Sequence, residues 1–339
     1  MIENETQLEE LLSRPDERVV ELFARLKGPL AILGAGGKIG PSLARMACRA
    51  RDQAGSKQEV FVVSRFSNAA AKAELESCGA RAISADLMDE AAVAALPDAA
   101  HVIYMIGQKF GTQSNPSLTW AVNALIPAYA SRRYRHAGIV AYSTGCVYDF
   151  APVASAGSRE GDPLTPIGEY SNACVARERI FEHFSALNQT PMVMVRLCYA
   201  VDLRYGVLVD LATDIQAGRE INVGMGYFNV IWQGDANRMT LRMLDHVAVP
   251  AKPMNLTGPA KLSLRETALT MGRLMGKPVR IAGQEAPTAL LNDASRTFEI
   301  MGRPEVSEAQ LIEWTANWIA CGGKTLNKPT HFQTRDGKY

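Results

Sequence analysis

Gly34, Gly37 and Gly40 stand three residues apart in LAILGAGGKIGPSLARM (30–46), with Gly36 as an extra. Bare positions of this kind suit a backbone that turns sharply after a strand and then admits a dinucleotide pyrophosphate at close range. Gly34 suits the turn, Gly36 and Gly37 the close approach, and Gly40 the tight packing of the next helix on the strand. The free N–H groups and the positive dipole end of that helix then face the phosphates. Lys38, inside the loop, either touches a phosphate or stays solvated. A second set of residues lies further on: Thr144 ends an apolar run and Tyr170 heads a later helical segment. A hydroxyl and a tyrosine that meet over a nicotinamide ring can serve a carbinol, the tyrosine passing the proton and the hydroxyl orienting the oxygen.

The elements that must hold these groups follow from the hydrophobic pattern. Apolar runs at 30–33, 60–64, 101–107, 138–144 and 191–197 read as strands of a buried sheet, with RAISADL (81–87) as a further strand. Helical segments at 89–96, 117–132 and 170–187 fall between the later ones, and strand–helix alternation of this kind predicts a parallel sheet covered on both faces. Ahead of the first strand, residues 7–26 read as two short helices around Pro15, packing on the domain or on a second subunit. After 200 the pattern loosens. Helical segments are expected at 207–217, 235–247, 262–275 and 307–320, with mixed strand-like chain at 219–232 and a returning strand near 253–258. The organisation expected is a helical extension (1–27), a nucleotide-binding domain (28–200) and a smaller lobe (201–339) covering the carboxyl ends of the strands.

Bulk properties narrow the class. The chain has 339 residues, 47% hydrophobic and 21% charged, with a formal net charge of +1. That balance carries no electrostatic footprint for nucleic acid or an anionic membrane. No apolar run reaches the ~20 residues needed to cross a bilayer. The opening MIENETQLEELLSRPDER is acidic and amphipathic, unlike a secretory leader. Six separated cysteines (48, 78, 146, 174, 198, 321) and five scattered histidines lack disulfide or metal spacing. A cytoplasmic protein with reduced thiols and no catalytic metal is expected.

With these residues in view, the chain resembles the extended short-chain dehydrogenase/reductase superfamily, in its NAD(P)-dependent epimerase/dehydratase branch. The resemblance runs through most of 28–320. It includes the glycine spacing, Asp86-Leu87, Met105-Ile106-Gly107, Asn123, the Thr144-x-x-Val147-Tyr148 pattern, Tyr170 with Glu178 eight residues on, Arg196 and Asp235. It implies an α/β fold, a doubly wound parallel Rossmann sheet with a smaller interleaved C-terminal substrate lobe. It also implies that Gly34, Gly36, Gly37, Lys38, Ile39, Gly40, Asp86, Leu87, Ile106, Gly107 and Tyr170 line the cofactor, with Asn123 bracing the fourth strand. Tyr170 is then the acid/base and Thr144 the orienting hydroxyl. Glu178 reads as a solvated helix residue.

Two departures stand out. The family carries lysine four residues after the tyrosine, where it holds the nicotinamide ribose and lowers the tyrosine's pKa; here that residue is Cys174. Lys109, just past the fourth strand, either substitutes from another element or is an ordinary loop lysine. Sugar-nucleotide epimerases commonly have asparagine where this chain has Tyr199, which favours a smaller polyol, sugar acid or free sugar. At the end of the second strand, Ser64-Arg65 replaces the acid that grips an NAD ribose. A hydroxyl beside a guanidinium suits the 2′-phosphate of NADP, NAD being the lesser expectation, unless Arg65 only stacks on adenine. The sequence thus predicts an NADP(H)-dependent oxidoreductase or epimerase acting at a sugar-like carbinol, with a homodimer as a further expectation. The alternative is an NADP(H)-binding regulatory protein whose catalysis is impaired by Cys174.

Overall fold

The computed structural model describes residues 1–338. Seven parallel strands form the central sheet: β1 (Leu30–Leu33), β2 (Val60–Ser64), β3 (Arg81–Ser84), β4 (His101–Tyr104), β5 (Gly138–Thr144), β6 (Met192–Leu197) and β7 (Lys252–Leu256). Their order is β7-β6-β5-β4-β1-β2-β3. The chain therefore reverses its direction of travel across the sheet between β1 and β4, and the carboxyl ends there open a crevice. Leu33 is level with both Val63 and Tyr104, and Thr144 with Leu197, so the chemistry-bearing ends share one edge. β1 is buried throughout, and β6 as far as Arg196, because helices cover both faces.

The helices are α1 (Glu5–Leu12), α2 (Glu17–Arg25), α3 (Gly40–Gln53), α4 (Ala69–Ser77), α5 (Glu90–Ala94), α6 (Pro116–Arg133), α7 (Gly168–Asn188), α8 (Val207–Gln216), α9 (Gln233–Arg242), α10 (Leu264–Met275), α11 (Ser295–Met301) and α12 (Glu308–Ala320). Asn4 and Asp16 cap α1 and α2 by accepting the Gln7 and Val19 N–H groups at 2.9 and 2.8 Å. Both helices pack on the chain's own α3 and α9, burying Leu8, Leu12, Val19, Leu22 and Phe23 completely.

Local chemistry sets several boundaries. β3 stops at Ser84, short of the expected 87, because the Asp86 carboxylate accepts the Met88 N–H at 3.0 Å and turns the chain. The expected helix 89–96 shortens to α5, whose cap is Asp89. A separate core gathers α8, α10 and α12 around Trp232, Phe228, Leu264 and Met271. α11 lies between α10 and α12, where seven residues give too little periodicity to announce a helix. β7, ahead of α10 in the chain, returns to the central sheet and pairs with β6.

Candidate active site

The strand ends and the loops above them enclose a cavity of about 1120 Å³. Its floor is the glycine loop. Gly34 has φ +90°, and a Cβ there would stand 2.8 Å from the Ile106 side chain, so only glycine lets β1 approach the end of β4. At Gly40 a Cβ would stand 2.3 Å from the Ala35 carbonyl oxygen, and this closeness seats α3 on the loop. The N-cap residue of α3 is Ile39, which offers no side chain to the first N–H groups, and the first turn has no acidic residue. The helix start is thus left ready for an anion. Gly36 and Gly37 are exposed beside it. These features fit a dinucleotide pyrophosphate.

Lys38 leans from the loop over Tyr205, its Nζ 3.5 Å from the ring centre, and lies 4.7 Å from the ring of Phe110. Burial, with Lys328 and Lys109 nearby, pushes its pKa down to about 8. Lys109 also lines the cavity and donates to the Thr330 carbonyl at 3.3 Å.

Opposite the glycine loop stand Thr144, at the end of β5, and Tyr170, in the first turn of α7; both line the same cavity. Thr144 Oγ1 accepts the Cys146 N–H at 3.2 Å, which leaves its own proton to donate. Tyr170 is nearly buried and shares a side-chain hydrogen bond with Cys174, one turn along α7. Burial raises the Tyr170 pKa well above its ordinary value, with Cys174 and Cys146 adding to the rise and Arg177 opposing it. Cys174 is pushed up to about 11, again by burial.

Asn123 ties α6 to the chain after β4, donating to the Gln108 carbonyl at 3.1 Å and to the Thr119 carbonyl at 2.8 Å. Its Oδ1 accepts from Arg177. Glu178, expected to be solvated, is fully buried instead. Arg196 on β6 holds its carboxylate at 2.7 Å, and the Ser143 hydroxyl donates to it. Burial of a charge demands such a partner, and this one comes from a strand that helix periodicity alone does not bring to mind. Arg196 also donates to the Tyr148 hydroxyl at 2.7 Å, which donates to Asn255 at 2.8 Å.

Of the residues named from sequence, Gly34, Gly36, Gly37, Lys38, Ile39, Gly40, Ile106, Gly107, Lys109, Thr144 and Tyr170 share the cavity wall. Ser64, Arg65, Asp86 and Leu87 lie outside it. Ser64 nevertheless backs onto the loop, its hydroxyl 2.5 Å from where a Gly36 Cβ would stand. Arg65 and Asp86 are exposed, whereas Leu87 is buried in the core. Tyr199, with φ +47°, lines an adjoining cavity of about 180 Å³ with Thr144, Lys109 and Cys146. Among the walls that the sequence did not signal are Glu5 and Glu9 of α1, Arg177 of α7, Arg204 and Tyr205, and Lys324 and Lys328 from the C-terminal segment.

A crevice at the reversal of a parallel sheet, floored by a glycine loop and faced by a tyrosine, defines a nucleotide-binding α/β enzyme class. A sequence profile of the NAD dependent epimerase/dehydratase family matches residues 30–255, and the chain belongs to that family, one of extended short-chain enzymes. Among solved structures, dTDP-glucose 4,6-dehydratase (DesIV) from Streptomyces venezuelae with NAD bound is similar at a TM-score of 0.72 and 18% identity, over 86% of this chain and 96% of that one. A UDP-galactose 4-epimerase gives 0.69 and 19%, over 86% and 98%. The UDP-glucose 4-epimerase of Thermus thermophilus in complex with NAD gives 0.69 and 18%, over 85% and 98%. A search of curated proteins finds no match. Among the described residues no helix is long and apolar enough to cross a membrane, and no cluster of three or more His, Cys, Asp or Glu suits a metal.

Proposed function

We propose that this enzyme binds NADP(H) and catalyses oxidation–reduction or epimerisation at a carbinol of a sugar, sugar acid or polyol. The observation that carries the reading is the cavity shared by the glycine loop, Thr144 and Tyr170. At about 1120 Å³ it exceeds the ~300–1,000 Å³ of a pocket for one small ligand, so it has room for cofactor and substrate together. The nicotinamide cofactor, when bound, exchanges a hydride with the carbinol carbon. Tyr170 takes the hydroxyl proton in the oxidative direction and returns it in the reverse, while Thr144 donates a hydrogen bond that fixes the oxygen. Gly36, Gly37, the start of α3 and Lys38 hold the pyrophosphate. Ile106 and Gly107 flank the cofactor where β4 ends, and Lys109 lies on the same side.

The NADP preference rests on Ser64 and Arg65. No acid ends β2, and Arg65 is exposed with no ion pair among the described residues, which leaves it able to reach a 2′-phosphate. Asp86 and Leu87 are assigned to the adenine side. The small adjoining cavity beside Thr144 supports a compact substrate without a nucleotide handle. Mixing the purified protein and NADP+ or NADPH with a panel of sugars, sugar acids, polyols and nucleotide sugars should either change nicotinamide absorbance with a non-nucleotide member, as net oxidation–reduction requires, or convert such a member to its epimer, seen by NMR with no net absorbance change. Turnover confined to nucleotide sugars would refute the substrate assignment.

A further inference from the structure

Arg177 is a buried cation that the motif pattern does not single out. It lies on α7, seven residues after Tyr170 and three after Cys174, and it is one of the residues lining the cavity. Helical side chains lean toward the N-terminus, so this group reaches back toward the level of Cys174 and Tyr170. It is 3% exposed. Its Nη1 donates to the Tyr142 carbonyl at 2.9 Å and its Nη2 to Asn123, while Nε has no partner among the described residues. It makes no ion pair among those residues, because the neighbouring carboxylate of Glu178 is taken by Arg196. Gly107 makes room for it: a Cβ there would stand 2.5 Å from Nη2.

A buried charge without a counter-ion is costly, and both of its hydrogen bonds are ones that a neutral amide could make. Retention of the charge therefore calls for a use. We propose that Arg177 replaces the family's lysine as the fixed positive charge that favours ionised Tyr170. It does so from one turn beyond Cys174, as a positioning residue, and this role rests on Tyr170 being the acid/base. The groups whose charge acts on Tyr170 are Cys174 on its own helix, Cys146 on the turn after β5, and Arg177, and Tyr148 is packed in the same buried cluster. Arg177 in turn faces Tyr104 of β4 as well as Cys174, Tyr170 and Glu178. Of these it alone is positive, and its field acts to lower the pKa of Tyr170 and of Cys174.

The test is a titration that needs no substrate. Difluorotyrosine placed at residue 170, whose more acidic phenol ionises in an accessible range, is followed by fluorine NMR against pH. Arg177→Gln, which keeps a hydrogen-bond donor and removes the charge, should raise the midpoint by about one unit or more. Arg177→Lys should shift it less. In the Arg177→Gln background, Cys174→Lys should bring the midpoint back toward the parent value. An unchanged midpoint in a folded Arg177→Gln protein overturns the proposal. Should that variant not fold, Arg177→Met, which removes the charge and fills the buried space, is read by the same two outcomes; a rise of a unit or more in Lys109→Ala identifies Lys109 as the operative cation and overturns the proposal. Loss of the acid/base assignment itself is seen separately, as full turnover by Tyr170→Phe.

Discussion

Lys38 of the glycine loop stacks its ammonium 3.5 Å from the ring centre of Tyr205, and the two residues together close one side of the cavity. The desolvation that accompanies this contact holds the Lys38 pKa near 8, so the loop is only partly charged in mildly alkaline solution. A bound pyrophosphate favours the protonated form. Below pH 8 that form is already present; above it, binding must take up a proton. Cofactor affinity should therefore fall as pH rises through about 8, by up to tenfold per unit. Calorimetry with NADPH at about pH 7 and about pH 9 checks this, and Lys38→Met should bind more weakly and flatten the dependence. A parent affinity that is level across the range counts against the contact with phosphate.

The Glu178–Arg196 pair, at 2.7 Å with both side chains buried, braces α7 against β6, with Arg196 level with Ser143, the residue before Thr144. Removing one partner strands the other charge in the interior. Glu178→Ala should lower stability by about 3–5 kcal/mol, read as a fall in the urea midpoint with an unchanged slope. A loss near zero would mean that Arg196 finds other support, for which Tyr148 is the nearest candidate.

Near-continuous apolar runs made the parallel sheet legible, since a strand buried on both faces has no polar side to show. The glycine loop was legible because its function needs missing side chains at close spacing. Glu178 was not: on a helix a charged residue defaults to solvent, and only the fold brings Arg196 against it. The same holds for Glu9 and Arg204, an ion pair at 2.6 Å between α1 and the chain after β6. Their meeting at the cavity mouth depends on tertiary contacts that span most of the sequence. Arg177 was hidden for a related reason, since it stands a turn past the lysine position of the motif and only its burial marks it out.

Arg65 is exposed at the end of β2, where an NAD-selective site would present a carboxylate. NADP(H) should bind more tightly than NAD(H) by about 1–3 kcal/mol, the value of a charge-assisted hydrogen bond. Arg65→Asp should reduce or reverse that difference. Equal affinities of the parent protein for the two cofactors, measured by calorimetric titration, would remove the preference.

Tyr170 carries the central claim, and the rate of carbinol oxidation as a function of pH tests it most directly. Burial raises the pKa of this tyrosine above its ordinary value, so turnover by the parent enzyme on a responsive substrate should climb from neutral into alkaline solution. Tyr170→Phe should lose ~10²–10⁴-fold of that rate with little change in cofactor affinity. A Tyr170→Phe protein that keeps the parent's rate and the parent's pH profile would contradict the account.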